Sequence, residues 1–271
     1  MGSGGLGVIS NRAPLRTVRD SVAHASRTPA DMLPSPRFRL RTFGGLSVEA
    51  SDGMVPATVT QRKRLAFLAL LAGAGSRGIA RERLLLLFWP ESSAGRARNA
   101  LYQVLYAMRQ ALGDQSLVGG DELRLEPSVV LSDVAEFQEA IARGRLDTAV
   151  ELYRGPFLDA FHLPGTPELE RWLEQKRQEL CRAHQTALTH LIADAMRRRD
   201  FETAVRYAER LVATDELSDR MMVTLMEALV ASGDVTAALS RARVHATTVR
   251  RELGANVGPS VTQLVARLVA G

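Results

Sequence analysis

The chain has 271 residues, 46% of them hydrophobic and 5% aromatic, with 35 Lys and Arg against 30 Asp and Glu. That length allows one large or two medium domains, and the apolar share suffices for an alanine- and leucine-rich helical core. The net charge of +5 admits an anionic partner. A single Cys181 excludes an internal disulfide and a cysteine-based zinc site, and no apolar run is long enough to span a membrane. The first residues show no secretory signal, so a cytoplasmic protein is expected.

The charge is unevenly spread. Residues 1–36 hold four Arg and two Asp, a net +2; residues 37–133 hold thirteen basic and nine acidic side chains, a net +4; residues 134–271 hold eighteen and nineteen, a net −1. Residues 1–36 are rich in Gly, Ser, Pro and Arg with little apolar periodicity, and they predict a disordered N-terminal arm. Arg37–Phe43 then alternates polar and apolar residues, as does Leu46–Ala50 after the Gly44-Gly45 turn. With Met54–Thr58 these predict three short antiparallel strands. Thr60 caps a predicted helix to about Leu71, with Leu65, Leu68 and Leu71 inward. Its first turn carries Gln61, Arg62, Lys63 and Arg64, and cations there oppose the helix dipole. Nearby phosphates would remove that cost, so Arg62, Lys63 and Arg64 are candidate phosphate contacts, a solvated basic turn being the alternative. Ser76–Ile79 is a link, and Ala80–Phe88 predicts a second helix whose Leu84–Leu87 run is buried nearly all round. Trp89-Pro90 ends it, since proline cannot continue the ladder.

Ser93–Gly113 is the stretch around which the rest is organised. Leu101, Leu105, Met108 and Leu112 fall at i, i+4, i+7 and i+11, one stripe at helical period. Ser93 can serve as N-cap, and Gly113 suits the end. Opposite the stripe lie Arg96, Asn99, Gln103 and Tyr106, flanked by Arg98, Tyr102 and Arg109, with no acidic residue among them. Arginine matches guanine edges, and asparagine or glutamine can bond adenine through two hydrogen bonds. Arg96, Asn99 and Gln103 are therefore candidate base contacts, and Arg98, Tyr102, Tyr106 and Arg109 candidate phosphate or flanking contacts. A solvated surface helix is the alternative, but such helices usually mix Glu with their Arg. Leu117-Val118, the turn Gly119-Gly120-Asp121, Leu123–Leu125 and Val129–Leu131 then predict a hairpin with one more strand. Three strands, three helices and a hairpin make the winged helix-turn-helix plan, with the third helix in the major groove and the hairpin beside it.

From Val134 the strands stop. Helical spacing runs over 134–143, 146–153, 166–199, 201–213, 218–232, 235–253 and 260–269, the 166–199 run being long enough to predict two helices. Arg199–Val205 recurs as Gly233–Leu239, with Phe201 and Val235 spaced by 34 residues, and Gly144–Val150 is a third copy. That is the period of a tetratricopeptide helix pair. Ala149, Ala204 and Ala238 take the small positions where paired helices touch. The expected fold is mainly α with a small β part: an arm at 1–36, a winged helix domain at 37–133 and an all-α repeat domain at 134–271.

Residues 37–270 resemble the Streptomyces antibiotic regulatory protein class of transcriptional activators. The resemblance rests on Arg37–Gly45, on Phe88-Trp-Pro-Glu91 leading to Arg96–Leu101, on Leu105 with Met108–Gly113, and on Gly155-Pro-Phe-Leu-Asp159, Trp172-Leu-Glu174 and Arg251-Glu-Leu-Gly254. It implies an OmpR-like winged helix joined to a bacterial transcriptional activator domain. It further implies binding to double-stranded DNA at promoter direct repeats, recruitment of RNA polymerase holoenzyme, pairing of two protomers on DNA and residence at the nucleoid. The hairpin tip Gly119–Glu122 is acidic where related wings are often basic or aromatic. Nothing resembles the nucleotide-binding module of larger members, so no cofactor is expected. The five histidines are scattered, and His184 and His190 point to different faces of one helix. No metal site, phosphate-cradling loop or paired acid and base is present in the pattern, so no catalysis is expected. The competing class is a helical-repeat adaptor whose winged domain binds protein; the amide forks at Asn99 and Gln103 favour DNA.

Overall fold

The computed structural model describes residues 36–270, together with Met1; the expected disordered arm lies outside the described residues except at its two ends. β1 (Phe38–Arg41) runs antiparallel to β2 (Ser47–Ala50), with Phe38 opposite Ala50. Met54–Pro56 is irregular and Ala57–Thr60 is a turn, so the expected third strand at Met54–Thr58 does not form. Pro56 has no N–H to give a ladder, and its carbonyl accepts from the Val59 amide at 2.9 Å. The third place in the sheet goes to β6 (Val130–Ser132), parallel to β1. Val129–Leu131 thus joins the first sheet and does not extend the hairpin.

α1 (Arg62–Ala74) begins after Thr60, whose hydroxyl donates to the Ala57 carbonyl instead of capping the helix. Every residue from Ala66 to Gly73 is buried, while Leu65 is half-buried, so α1 is wrapped on all sides. A Cβ at Gly73 would stand 3.0 Å from the Trp172 ring and 3.1 Å from Phe157. After a 3-10 turn at Gly75–Arg77, the expected link ends in a short strand, β3 (Ile79–Ala80). α2 (Arg81–Phe88) follows, then α3 (Ala94–Leu112) and the hairpin β4 (Leu117–Val118) and β5 (Glu122–Leu125). β5 is central, antiparallel to β3 and β4. Leu84 and Leu87 are buried, but Leu86 is 60% exposed. Two residues turn a helix by about 200°, so Leu86 must face away from Leu84, and the four leucines are not buried all round.

The remaining helices are α4 (Asp133–Ala142), α5 (Leu146–Leu152), α6 (Pro167–Arg197), α7 (Phe201–Val212), α8 (Asp219–Ala231), α9 (Val235–Leu253) and α10 (Pro259–Ala270). α6 is one helix of 31 residues where two were expected. No Gly or Pro follows Pro167 within it to break the ladder. Successive helices from α4 to α9 pack in pairs, and Ala149, Ala204 and Ala238 are fully buried. Asp200 and Asp234 cap α7 and α9, accepting from the amides of Thr203 and Ala237. The third copy has Arg145 there and no side-chain cap.

Two apolar cores result. The first runs from Phe38 to Leu180 and the second from Val150 to Leu264. The first does not stop at residue 133. Phe137, Ala140, Phe157 and Leu169 belong to it, and the Phe43 ring lies 5.4 Å from Phe137 and 4.8 Å from Tyr153. Asp133 accepts from the amides of Thr42 at 2.9 Å and Phe43 at 3.1 Å. The block Gly155–Asp159 fastens this joint. Pro156 accepts from the Gly44 amide and Leu158 donates to Thr42. Arg177 of α6 holds the carbonyls of Phe157 and Leu158, each at 2.9 Å.

Candidate nucleic-acid interface

The Trp89 amide closes α2 on the Leu85 carbonyl, Ser92 donates to Trp89, and the Ala97 amide reaches back to Ser93. Five residues thus join α2 to α3. Ser93 stands just before α3 but makes no side-chain cap; its hydroxyl accepts from Arg96 Nε at 3.2 Å. The first amides of α3 therefore lack a side-chain acceptor, and that positive end suits a phosphate.

Ala97, Leu101, Leu105, Met108 and Leu112 bury one stripe of α3. Arg96, Arg98, Asn99, Tyr102, Gln103 and Tyr106 are all exposed. Arg96, Asn99, Gln103 and Tyr106 follow spacings of three and four residues, which lines them along one outer ridge. No carboxylate lies on α3. The ridge therefore offers donors and amide forks in a row. Arg109 departs from the set: it is half-buried and donates to the Leu117 carbonyl at 3.2 Å. It pins α3 to the hairpin.

The basic first turn of α1 is occupied within the fold. Arg62 donates to the His162 carbonyl at 2.9 Å and lies 5.0 Å from the Phe161 ring. Arg64 donates to Thr58. The Lys63 ammonium donates to the Phe88 carbonyl at 2.9 Å and sits 4.6 Å from the Trp89 ring; burial pushes its pKa down. Lys63 is thus a cation at the C-terminal end of α2, where the dipole favours it. The crowding of charge at residues 62–64 has an internal explanation that needs no phosphate.

At the wing tip, Arg81 donates through Nε to the Gly120 carbonyl at 2.7 Å and through its amide to Asp121. Gly119 has φ 107°, and a Cβ there would fall 1.9 Å from the Glu122 oxygen. Asp121 and Glu122 are exposed, so the tip is acidic. Arg124 is exposed on β5 between the buried Leu123 and Leu125. It was missed in the sequence, although the alternation of that strand shows it.

Among the described residues no three His, Cys, Asp or Glu side chains are grouped to hold a metal ion. His184 is buried and His190 exposed, on different faces of α6. The His184 ring stacks on Tyr153 at 4.2 Å; burial, then the charge of Arg210, pushes its pKa down to about 4. His245 joins Asp219 at 2.6 Å and the Glu216 carbonyl at 3.0 Å. Both serve packing. No helix among the described residues is long and apolar enough to cross a membrane.

The profile of the bacterial transcriptional activator domain matches residues 129–269, more than half of the chain. No curated protein matches the sequence. Among solved structures, Mycobacterium tuberculosis EmbR in complex with a low-affinity phosphopeptide is similar over 86% of this chain, at 22% identity and a TM-score of 0.58. The chain spans 65% of the length of that structure. The likeness is one of fold, and the fold is mainly α with a small β part, a winged half followed by helical repeats. By that profile the chain belongs to the bacterial transcriptional activator domain family.

Proposed function

We propose that the protein binds promoter direct repeats through α3 and recruits RNA polymerase holoenzyme, the helical repeats providing contacts with polymerase and with a second protomer on DNA. The observation that carries this reading is the outer ridge of α3, where Arg96, Asn99 and Gln103 stand exposed on a helix without a carboxylate. A surface that only attracted phosphate would need charge but no amide forks; base edges need both. In this reading Arg98, Tyr102 and Tyr106 contact the backbone beside the ridge. Arg62 keeps an exposed guanidinium and is the member of the α1 turn that can also reach a phosphate. Lys63, Arg64 and Arg109 hold the frame. Residues 37–133 supply the reading head and residues 134–271, with their net −1 charge, the protein contacts.

The test is binding of the Arg96→Ala and Asn99→Ala variants to the preferred site and to a scrambled one. Each is expected to cost roughly 1–3 kcal/mol on the preferred site and to relax preference at one base position. Equal losses on both DNAs would make that residue a backbone contact and overturn its assignment.

A further inference from the structure

The molecule has a cleft of about 830 Å³ away from α3, where the winged and helical halves meet. Its half-buried apolar lining comes from four places: the end of α1 (Ala74), β6 (Leu131), α4 (Ala135, Ile141) and α6 (Ala183). These five side chains are apolar and half-buried, over a floor of the buried core residues Leu71, Leu125, Phe137 and Leu180. The volume lies within the range of small-molecule sites, which are mostly apolar with a few placed polar groups and often sit between domains.

The charged groups at the rim are not balanced. Glu136, Glu139 and Glu179 line the cleft, but each is already paired, with Arg39 at 2.7 Å, Arg143 at 2.5 Å and Lys176 at 2.8 Å. Arg77 and Arg124 also line it, both are exposed, and neither forms an ion pair among the described residues. The carboxylates are thus spent within the protein, and the uncommitted charge at the mouth is positive. A guanidinium binds carboxylate or phosphate through two parallel hydrogen bonds. Residues 1–36 carry a net +2, the wrong sign to complement that rim.

We propose that this cleft binds a small amphiphile, with an apolar body against Leu131, Ile141 and Ala183 and one anionic group at Arg77 and Arg124. The ligand touches β5 of the wing and α6 of the repeat half at once. This site is separate from α3, and its occupancy is measurable without DNA, so it stands or falls independently of the DNA reading.

The experiment is calorimetric titration of the full chain with decanoate, decyl phosphate, decanol and decylamine. Decanoate or decyl phosphate is expected to bind one per chain, and whichever is tighter identifies the carboxylate or the phosphate as the natural head group. Decanol is expected to bind at least about tenfold more weakly, a difference of about 1.4 kcal/mol, and decylamine more weakly still. The exposed double substitution Arg77→Gln, Arg124→Gln is expected to weaken the acid about tenfold and leave decanol unchanged. Ala183→Phe, which fills the cleft from α6, is expected to abolish binding, with a thermal melt to establish that this variant is folded. Three results would overturn the proposal: no binding of either acid up to about 1 mM, equal affinity for decylamine, or an unchanged affinity in the double-glutamine variant. A cleft already closed by the first residues of the chain or by a second copy would give the first of these.

Discussion

Lys63 sits at the N-terminal end of one helix yet serves the C-terminal end of another, through the Phe88 carbonyl and the Trp89 ring. Lys63→Met is accordingly expected to lower stability by about 1 kcal/mol and leave the salt dependence of DNA binding unchanged. A slope of log K against log salt reduced by about 0.9 would return Lys63 to the phosphate contacts. His184 gives a pH dependence of known sign. Its pKa lies at about 4 in the folded chain, against an ordinary value of 6.5. Between those values the unfolded chain takes up the proton and the folded chain does not, so the contribution of His184 is present above pH 6.5 and is lost as pH falls toward 4. The loss amounts to a few kcal/mol at most, roughly 1.4 per pH unit. His184→Phe retains a ring against Tyr153 and removes the titration. Melting curves at pH 7 and pH 5 are expected to differ less for this variant than for the parent; equal differences would show that other groups set the acid sensitivity.

Among the elements, the wing has the least tolerant turn. With φ at 107° and a Cβ position 1.9 Å from the Glu122 oxygen, Gly119→Ala must open the tip. The expected cost is roughly 2 kcal/mol or more, with the order of preferred bases kept, because α3 packs through its own stripe. A changed base order would mean that the wing positions α3. The elements also differ in how far the sequence discloses them. α3 was legible from its apolar spacing, and its exposed ridge followed from the same arithmetic. β6 was not placed, because a parallel pairing of Phe38 with Val130 leaves no trace in local pattern. Met54–Thr58 looked like a strand by its Val and Thr, and Pro56 decided otherwise. The charge at residues 62–64 was visible, but its acceptors were not; the Phe88 carbonyl is 25 residues from Lys63. The block Gly155–Asp159 could be quoted as a motif, while its use as a fastener for Thr42 and Gly44 appears only in three dimensions.

At the scale of the molecule, a winged domain bounded at 37–133 would leave a fragment ending near Asp133 that folds and binds DNA by itself. The first core extends through Phe137, Phe157 and Leu169 to Leu180, so that fragment leaves the Phe43 ring and much of α1 uncovered. It is expected to melt without cooperativity, whereas a fragment ending at Thr186 keeps the whole first core and gives a cooperative transition. A cooperative melt of residues 1–133 would show that the wing and three helices suffice. Under the proposed division of labour the longer fragment is expected to occupy the promoter without activating transcription; full activation by it would sink that division. The same long helix sets a further condition. At about 1.5 Å per residue, α6 extends some 46 Å, with Leu180 at the edge of one core and Ala187 at the edge of the next. Such a shaft has a phase. Inserting one residue between those edges would swing the repeats about 100° around the axis, while seven residues, close to two turns, would restore nearly the same bearing about 10 Å farther out. The two halves are keyed to each other like gears on one axle, and this span can change length only in steps that keep the teeth in register.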